Sequence, residues 1–377
     1  MSGQLYTPIC DMLGIEYPIF LAGMNSGGAG QSKSPTPVKL VAEITNAGGL
    51  GVLGDSFLTL EDLDQGIREL KSLVGDRPFG VDFMLPAKLE NVGSRSNLEI
   101  HDDIKKEYPD HVKFIERMIE ELELTKVNVP ESSPMTYEHI LKKIDVVMDN
   151  DVPIFAAALG DPALISEKAH DRGMILMGMA GAPRHAERQM AAGTDIVVAQ
   201  GTEAGGHTGS ISTMVLVPQV VDVFSPKPVL AAGGIGTGAQ VAAALALGAQ
   251  GAWIGTAFLV AEEGNSPEVQ KDQILGARSE QFSISTSQSG KQQRAYHNIV
   301  REAWANSGLK TLPMPLQGVL NEPLNEAIKA AQRDDLAQIP SGQIGGMLTE
   351  RRPAREIFFD LVNEAEETID SMKSYLK

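Results

Sequence analysis

Short, largely apolar runs alternate with helix-spaced segments through the first 260 residues or so of this chain. Eight runs stand out: Tyr17–Ala22, Leu50–Leu53, Phe79–Leu85, Val152–Ala157, Met174–Met177, Asp195–Ala199, Pro228–Ala231 and Ala252–Ile254. A strand with one wet face alternates apolar and polar residues, whereas a strand buried on both faces is apolar throughout. These runs are of the second kind and predict a parallel sheet covered on both sides. Between them, helical spacing over Pro37–Ala47, Leu60–Leu73, Pro162–Arg172, Arg184–Ala192, Met214–Val223 and Gly238–Leu247 supplies the crossovers that parallel strands require. Eight β–α units favour an α/β fold of the (β/α)8 TIM barrel type over an open sheet.

Two regions interrupt the repeat. More than sixty residues separate the third and fourth runs. Within them His101–Val127 carries Val112, Ile115, Ile119 and Leu122 at helical spacing on a charged background. One amphipathic helix is predicted there, most simply a solvated cover, alternatively a lid or an oligomer contact. After the eighth run comes a tail of more than a hundred residues. In it Ser283–Gly290 reads as loop and Ala354–Leu376 as a helix. The expected layout is a barrel over residues 1–86 and 136–260, a helical insertion over 87–135, and a C-terminal helical extension over 261–377 that packs on the barrel.

Charge and cysteine usage narrow the function. A formal net charge of −17 repels phosphate backbones and anionic lipid, so neither nucleic acid nor a membrane is an expected partner. Cys10 is the single cysteine, so no internal disulfide can form. The seven histidines have no metal-ligand spacing, and no metal is expected. The N-terminal segment has neither a basic start nor an apolar run, which points to the cytoplasm. Residues 231–261 are uncharged and long enough to span a bilayer, but seven glycines punctuate them, which fits turns, a helix and a buried strand better.

Barrel chemistry sits in the loops at the carboxyl ends of the strands, often with a phosphate site after strands seven and eight. Strand seven ends in Ala232–Gly238 (AGGIGTG) and strand eight in Gly255-Thr256-Ala257-Phe258, with no Lys or Arg in either. A phosphate held there would depend on backbone amides and a helix dipole. The loop after strand six, Gln200–Gly209 (QGTEAGGHTG), wraps four glycines around His207, whose side chain suits proton transfer near neutrality. Gln200 offers an amide to a heterocycle edge, and Glu203 is read as an ion pair that stiffens the loop. Strand three ends with Asp82, read as a site residue or a paired buried carboxylate. Strand one leads into Met24 and a glycine-rich loop. No strand end offers a Lys for Schiff-base chemistry or a Cys nucleophile. One His, two acids and amide-lined loops point to a phosphate-bearing cofactor that carries the hard chemistry.

Six segments resemble one family. PIFLAGM (18–24), TNAGGLGVLG (45–54), PFGVDFMLP (78–86), QGTEAGGHTG (200–209), residues 231–258 and SGQIGGM (341–347) are similar to the nitronate monooxygenases, formerly called 2-nitropropane dioxygenases. The resemblance implies a TIM barrel with FMN at its top. It implies Ala22, Gly23 and Met24 along the isoalloxazine, and Asp82, Gln200, Gly205 and Gly206 near the flavin. Gly233, Gly234, Trp253, Ile254, Gly255 and Thr256 would hold the ribityl phosphate, and His207 would be the catalytic histidine. The implied reaction is oxidative denitrification of an alkyl nitronate by O2 to a carbonyl compound and nitrite. His207 would act as base on neutral nitroalkanes or, as imidazolium, bind the nitronate oxygens. The family commonly has Asn where this chain has Asp82, and QSKSPT (31–36) lengthens the first loop. Flavin-dependent enoyl-acyl-carrier-protein reductases share much of the pattern, so an NAD(P)H-dependent enoyl-thioester reductase is the alternative. Expected partners are a small nitronate and O2; a homodimer is left open.

Overall fold

The computed structural model describes residues 4–24, 34–54, 58–85, 96–127, 137–160 and 162–376. In chain order α1 (Pro8–Leu13) precedes β1 (Ile19–Leu21), α2 (Val38–Asn46), β2 (Leu50–Gly54), α3 (Leu60–Val74) and β3 (Gly80–Met84). The insertion supplies α4 (Asn97–Glu107) and α5 (Pro109–Glu121). Then come α6 (Tyr137–Asp149), β4 (Ile154–Ala158), α7 (Ser166–His170), β5 (Ile175–Ala180), α8 (Pro183–Ala191) and β6 (Ile196–Gln200). A two-residue strand, β7 (Gly206–His207), leads to α9 (Thr213–Phe224), β8 (Val229–Ala232), α10 (Gly238–Ala246), β9 (Gly251–Ile254) and the short α11 (Thr256–Leu259). The tail holds α12 (Glu268–Leu275), β10 (Phe282–Ser285), β11 (Gln293–Tyr296), α13 (Ile299–Asn306), α14 (Leu316–Ala330) and α15 (Ala354–Met372).

Eight parallel strands close a TIM barrel in the order β1-β2-β3-β4-β5-β6-β8-β9, with Phe20 opposite Trp253 at the seam between first and last. Strand alternation sorts the apolar runs into two cores. Phe20, Leu50, Val52, Ile154, Met177, Val198, Leu230 and Trp253 fill the barrel, which α1 plugs with Ile9 and Leu13. Their strand neighbours Leu21, Leu53, Val81, Phe155, Leu176, Val197 and Ile254 face the helices. Because both faces are buried, the sequence shows no polar alternation. Residues 238–246 of the long uncharged stretch form α10 and residues 251–254 form β9. Among the described residues no helix is long and apolar enough to cross a membrane.

The insertion differs from the single cover helix predicted from His101–Val127. Pro109 has no N–H to continue a helix and disfavours helical geometry in the residue before it. Tyr108 accordingly sits at φ −130, ψ 54, ending α4 and starting α5. The apolar face of the pair meets the chain's own tail. Ile104, Phe114, Ile115, Met118 and Ile119 share a core with Trp304, Leu320, Leu324 and Ile328. Phe114 packs edge-on to Trp304 at 4.7 Å, and Asn97 Nδ2 donates to Glu322 Oε2 at 2.8 Å. The tail differs too. Ser283–Ser285, read as loop, forms most of β10, because pairing with β11 satisfies its backbone where composition suggested none would form. At the C-terminus α15 ends at Met372, and Lys373–Tyr375 tightens into a 3-10 turn. Asn25–Gly28 and the first half of QSKSPT lie outside the described residues, as do 86–95 and 128–136 of the insertion region.

Candidate active site

A second sheet, β10-β11-β7, stands at the carboxyl end of the barrel. It is built by the tail and completed by the loop after β6. β11 pairs antiparallel with β7, with Gln293 opposite His207 and Arg294 opposite Gly206. The tail therefore fixes the histidine. Gly206 adopts φ +73, a left-handed conformation that glycine takes without penalty, and this turns the chain into the ladder. Gln200 Nε2 donates to the His207 carbonyl at 2.6 Å, so this amide clamps the loop from the end of β6.

One cavity of about 250 Å³ opens here. Ala22, Gly23, Met24, Asp82, Gln200, Gly205, Gly206, His207, Gly233, Gly234, Trp253, Gly255 and Thr256 all line it. Thirteen of the fourteen residues singled out in the sequence thus converge. The exception is Ile254, whose side chain packs in the helix layer because its neighbour Trp253 points into the barrel. Asp82 is buried at the top of β3, tight against Gly23, where a Cβ would stand 2.3 Å from the Cβ of Asp82. Ala22, Met24, Met179, Ala232 and Trp253 give one region of the wall an apolar character. The segment SGQIGGM returns as a cover. Gly342 N–H donates to Thr256 Oγ1 at 2.9 Å and Gln343 N–H to the Glu203 carbonyl at 3.0 Å.

His207 Nε2 lies 2.9 Å from Ser289 Oγ. Ser289 also accepts from Lys291 N–H at 3.3 Å and donates toward the Lys291 carbonyl at 3.5 Å. With Nε2–H as the donor to the serine, Nδ1 keeps its lone pair. Burial, and secondarily the charge of Lys291, pull the imidazole pKa down to about 4. The ring is therefore neutral near pH 7, which corrects the imidazolium reading: a desolvated ring loses the hydration that its charged form requires.

Two further expectations change. Glu203 forms no ion pair within 4 Å among the described residues. Its carboxylate instead accepts from Thr213 N–H at 3.0 and 3.2 Å and from the Thr213 hydroxyl at 2.9 Å, capping the start of α9. The dipole of α10 is likewise already answered. Gly238 N–H donates to Glu364 Oε2 at 2.7 Å, and Gly236 and Thr237 N–H donate to Gln240 Oε1. Because α15 packs across α10, an incoming anion would meet a carboxylate at that end. The amides left for an anion lie one step earlier: Gly234 and Ile235 N–H have no acceptor among the described residues. The short helix α11 begins beside them at Thr256. Among the described residues no Lys or Arg lines the cavity.

Ser289 and Gln293 line the cavity beside His207, yet neither was singled out from sequence. Ser289 lies 82 residues beyond His207 in the chain, and Gln293 follows it, in a polar stretch with no motif. Pairing with β7 brings them in, and pairing partners so distant leave no local signal.

The family model described as nitronate monooxygenase matches residues 7–364. The chain belongs to that family. The family is one of flavin-dependent oxidoreductases. A Mycobacterium tuberculosis relative, whose name goes only as far as monooxygenase, is 35% identical over 98% of this chain and 99% of its own length. A "Probable nitronate monooxygenase" of Staphylococcus aureus is 32% identical over 94% of this chain and 96% of its own. Among solved structures, the nitroalkane oxidase of Streptomyces ansochromogenes is similar at 27% identity and TM-score 0.78, covering 97% of this chain and all of that one. FabK of Thermotoga maritima is similar at 25% identity and TM-score 0.74, covering 99% of this chain and all of that one. The nitronate monooxygenase family thus shares with this chain the barrel whose mouth holds His207.

Proposed function

We propose that this member of the nitronate monooxygenase family oxidises alkyl nitronates with O2 to carbonyl compounds and nitrite, using FMN, and that it accepts neutral nitroalkanes through a proton-transfer step at His207. The observation that carries the reading is a neutral, serine-held imidazole on the wall of an apolar, amide-rimmed cavity at the barrel mouth. The cavity suits FMN. Its apolar residues Ala22, Met24, Trp253 and Ala232 match a planar ring system, and the unengaged amides of Gly234 and Ile235, next to Gly255 and Thr256, match a phosphate with no cation nearby. FMN supplies, when bound, one-electron transfer between the nitronate and O2.

The chain's own residues do the rest. His207 is fixed in orientation by Ser289 at Nε2 and by the β7–β11 ladder at its backbone. Its unprotonated Nδ1 takes a proton from the carbon next to a nitro group. A nitronate arrives already deprotonated and needs only orientation. Leu259, Ile339, Pro340 and Ile344 restrict access of water to the cavity. His207→Asn should lower neutral nitroalkane turnover by roughly 10²- to 10⁴-fold, the range for a general base, while nitronate turnover falls much less and flavin stays bound.

The FabK likeness favours a second reading, NAD(P)H-dependent reduction of enoyl thioesters. Two assays of the flavin-loaded protein separate the readings, one in air with an alkyl nitronate and one anaerobic with NADH. O2 uptake and nitrite release from a nitronate without NADH support the oxygenase. Bleaching of the flavin by NADH without nitronate, together with no nitrite release, defeats it.

A further inference from the structure

A protein of net charge −17 whose cavity wall, among the described residues, carries no Lys or Arg still has to admit an anion if the proposed function holds. Two guanidinium groups bond to the strands of the sheet that holds His207 or to its loop, Arg294 from β11 itself and Arg301 from α13. Arg294 and Arg301 are both buried. Neither has a carboxylate within 4 Å among the described residues. Arg294 donates to the carbonyls of Thr202 (2.9 Å, from Nε) and Phe282. Arg301 donates through one nitrogen to the carbonyls of Ser283 (2.8 Å) and Gln293 (3.4 Å). Its Nε and its other terminal nitrogen are closed off from solvent and have no acceptor.

Backbone carbonyls satisfy donors but carry no net charge, so the hydrogen bonds leave the charge in place. Among the described residues the one acid coupled to the pair is Glu203, which acts on Arg294 without closing to an ion pair, while burial and Arg294 itself depress Arg301. The depressed value, about 10, still leaves Arg301 charged near neutrality. One positive charge is therefore uncompensated. It is also screened little by salt, because it is buried. Its carbonyl partner Gln293 is the residue paired with His207.

We propose that Arg301 is a specificity-determining residue: an uncompensated buried charge behind the β7–β11 pair that favours small anions, nitronates included, over neutral ligands in the His207 cavity. It acts through the field and touches no ligand. A neutral nitroalkane is treated differently. Proton transfer to His207 creates equal and opposite charges side by side, so a charge farther off changes that step little.

This inference rests on the nitronate reading for its substrate, so the test includes a probe that needs no turnover. The flavin-loaded enzyme is titrated with nitrite, followed by flavin absorbance, and assayed with an alkyl nitronate and its parent nitroalkane. Arg301→Gln should weaken nitrite binding and lower kcat/KM for the nitronate by roughly ten-fold, the scale of one unit charge in a medium of intermediate dielectric. The neutral nitroalkane should change by less than about two-fold on the same argument. Arg301→Lys, which keeps the charge but not the fork, should stay close to the parent. If Arg301→Gln does not fold, Glu203→Gln decides, because it keeps an acceptor for Thr213 while removing the opposing charge. It should tighten nitrite several-fold. Unchanged nitrite binding in the variant that decides, or equal losses for both substrates in Gln and Lys variants alike, overturns the proposal. If the parent enzyme fails to oxidise nitronate at all, the function reading fails, and the nitrite titrations still decide the role of Arg301.

Discussion

His207 Nε2 and Ser289 Oγ stand 2.9 Å apart across 82 residues of sequence, joining a two-residue strand beyond the barrel to a turn of the C-terminal tail. The serine is the ring's one side-chain hydrogen-bond partner among the described residues, so it fixes the ring's orientation.

Ser289→Ala leaves a buried ring nitrogen without a partner. Such a loss costs about 1–3 kcal/mol, so neutral nitroalkane kcat/KM should drop by roughly ten- to a hundred-fold. Flavin content, read from the visible spectrum, should not change. Full activity in the alanine variant removes Ser289 from the mechanism.

Because the His207 pKa lies at about 4, the rate profile for a neutral nitroalkane should be level across neutral pH and fall only as pH drops toward 4. An exposed histidine would place that limb near 6.5. Lys291→Met removes the lesser cause of the depression, so the limb should move upward by a fraction of the gap and no farther. The same depression acts on stability. Between about 6.5 and 4 the unfolded chain binds the proton more readily than the folded one, so this group's contribution to stability falls as pH falls through that window. A rate limb at 6.5 in the parent enzyme contradicts the buried, neutral ring.

Gly23→Ala places a methyl carbon 2.3 Å from the Cβ of Asp82, between two buried strand ends with little freedom to part. Overpacking of this kind costs about 1–3 kcal/mol. Thermal unfolding should shift down, and flavin occupancy after purification should fall with it. A variant with unchanged Tm and full flavin shows that the strand ends yield more easily than their burial suggests.

Burial is the largest cause raising the Glu322 carboxyl to about 7, with the nearby charge of Glu326 adding to it and the Asn97 hydrogen bond opposing it. Its folded pKa lies above the unfolded value near 4.3. The folded state therefore holds the proton more tightly between those limits, and stability falls as pH rises from about 4.3 through 7. Glu322→Gln should come close to the parent at pH 5 and exceed it at pH 8 by about 1–2 kcal/mol, a gain reduced by solvent screening of the partly exposed group. Parallel pH profiles for the two proteins, measured by urea unfolding, contradict this role. Glu322 joins α14 to the insertion through Asn97, so amide exchange in α4 gives a second readout of how firmly the insertion docks.

The barrel was legible because its signal is local. Each strand is a short apolar run, and Trp253 or Leu230 reads the same in sequence whether it faces the barrel or the helices. Thirteen cavity residues were legible as well, since strand-end loops of a barrel converge by construction. Errors arose where a residue's partner is remote. Glu203 caps α9 rather than closing an ion pair, and Glu364 reaches the start of α10 from α15, 126 residues away. Tyr108–Pro109 was a local signal that the helical spacing on either side obscured.

Sequence by itself determined the barrel, the glycine loops at its mouth and the presence of one histidine among them, because periodicity and turn chemistry act over a few residues. Tertiary structure decided the charge state of that histidine, its serine partner, the buried guanidinium behind it and the docking of the insertion on the tail. Each depends on desolvation or on pairing between segments far apart in the chain, and neither leaves a mark in the local sequence.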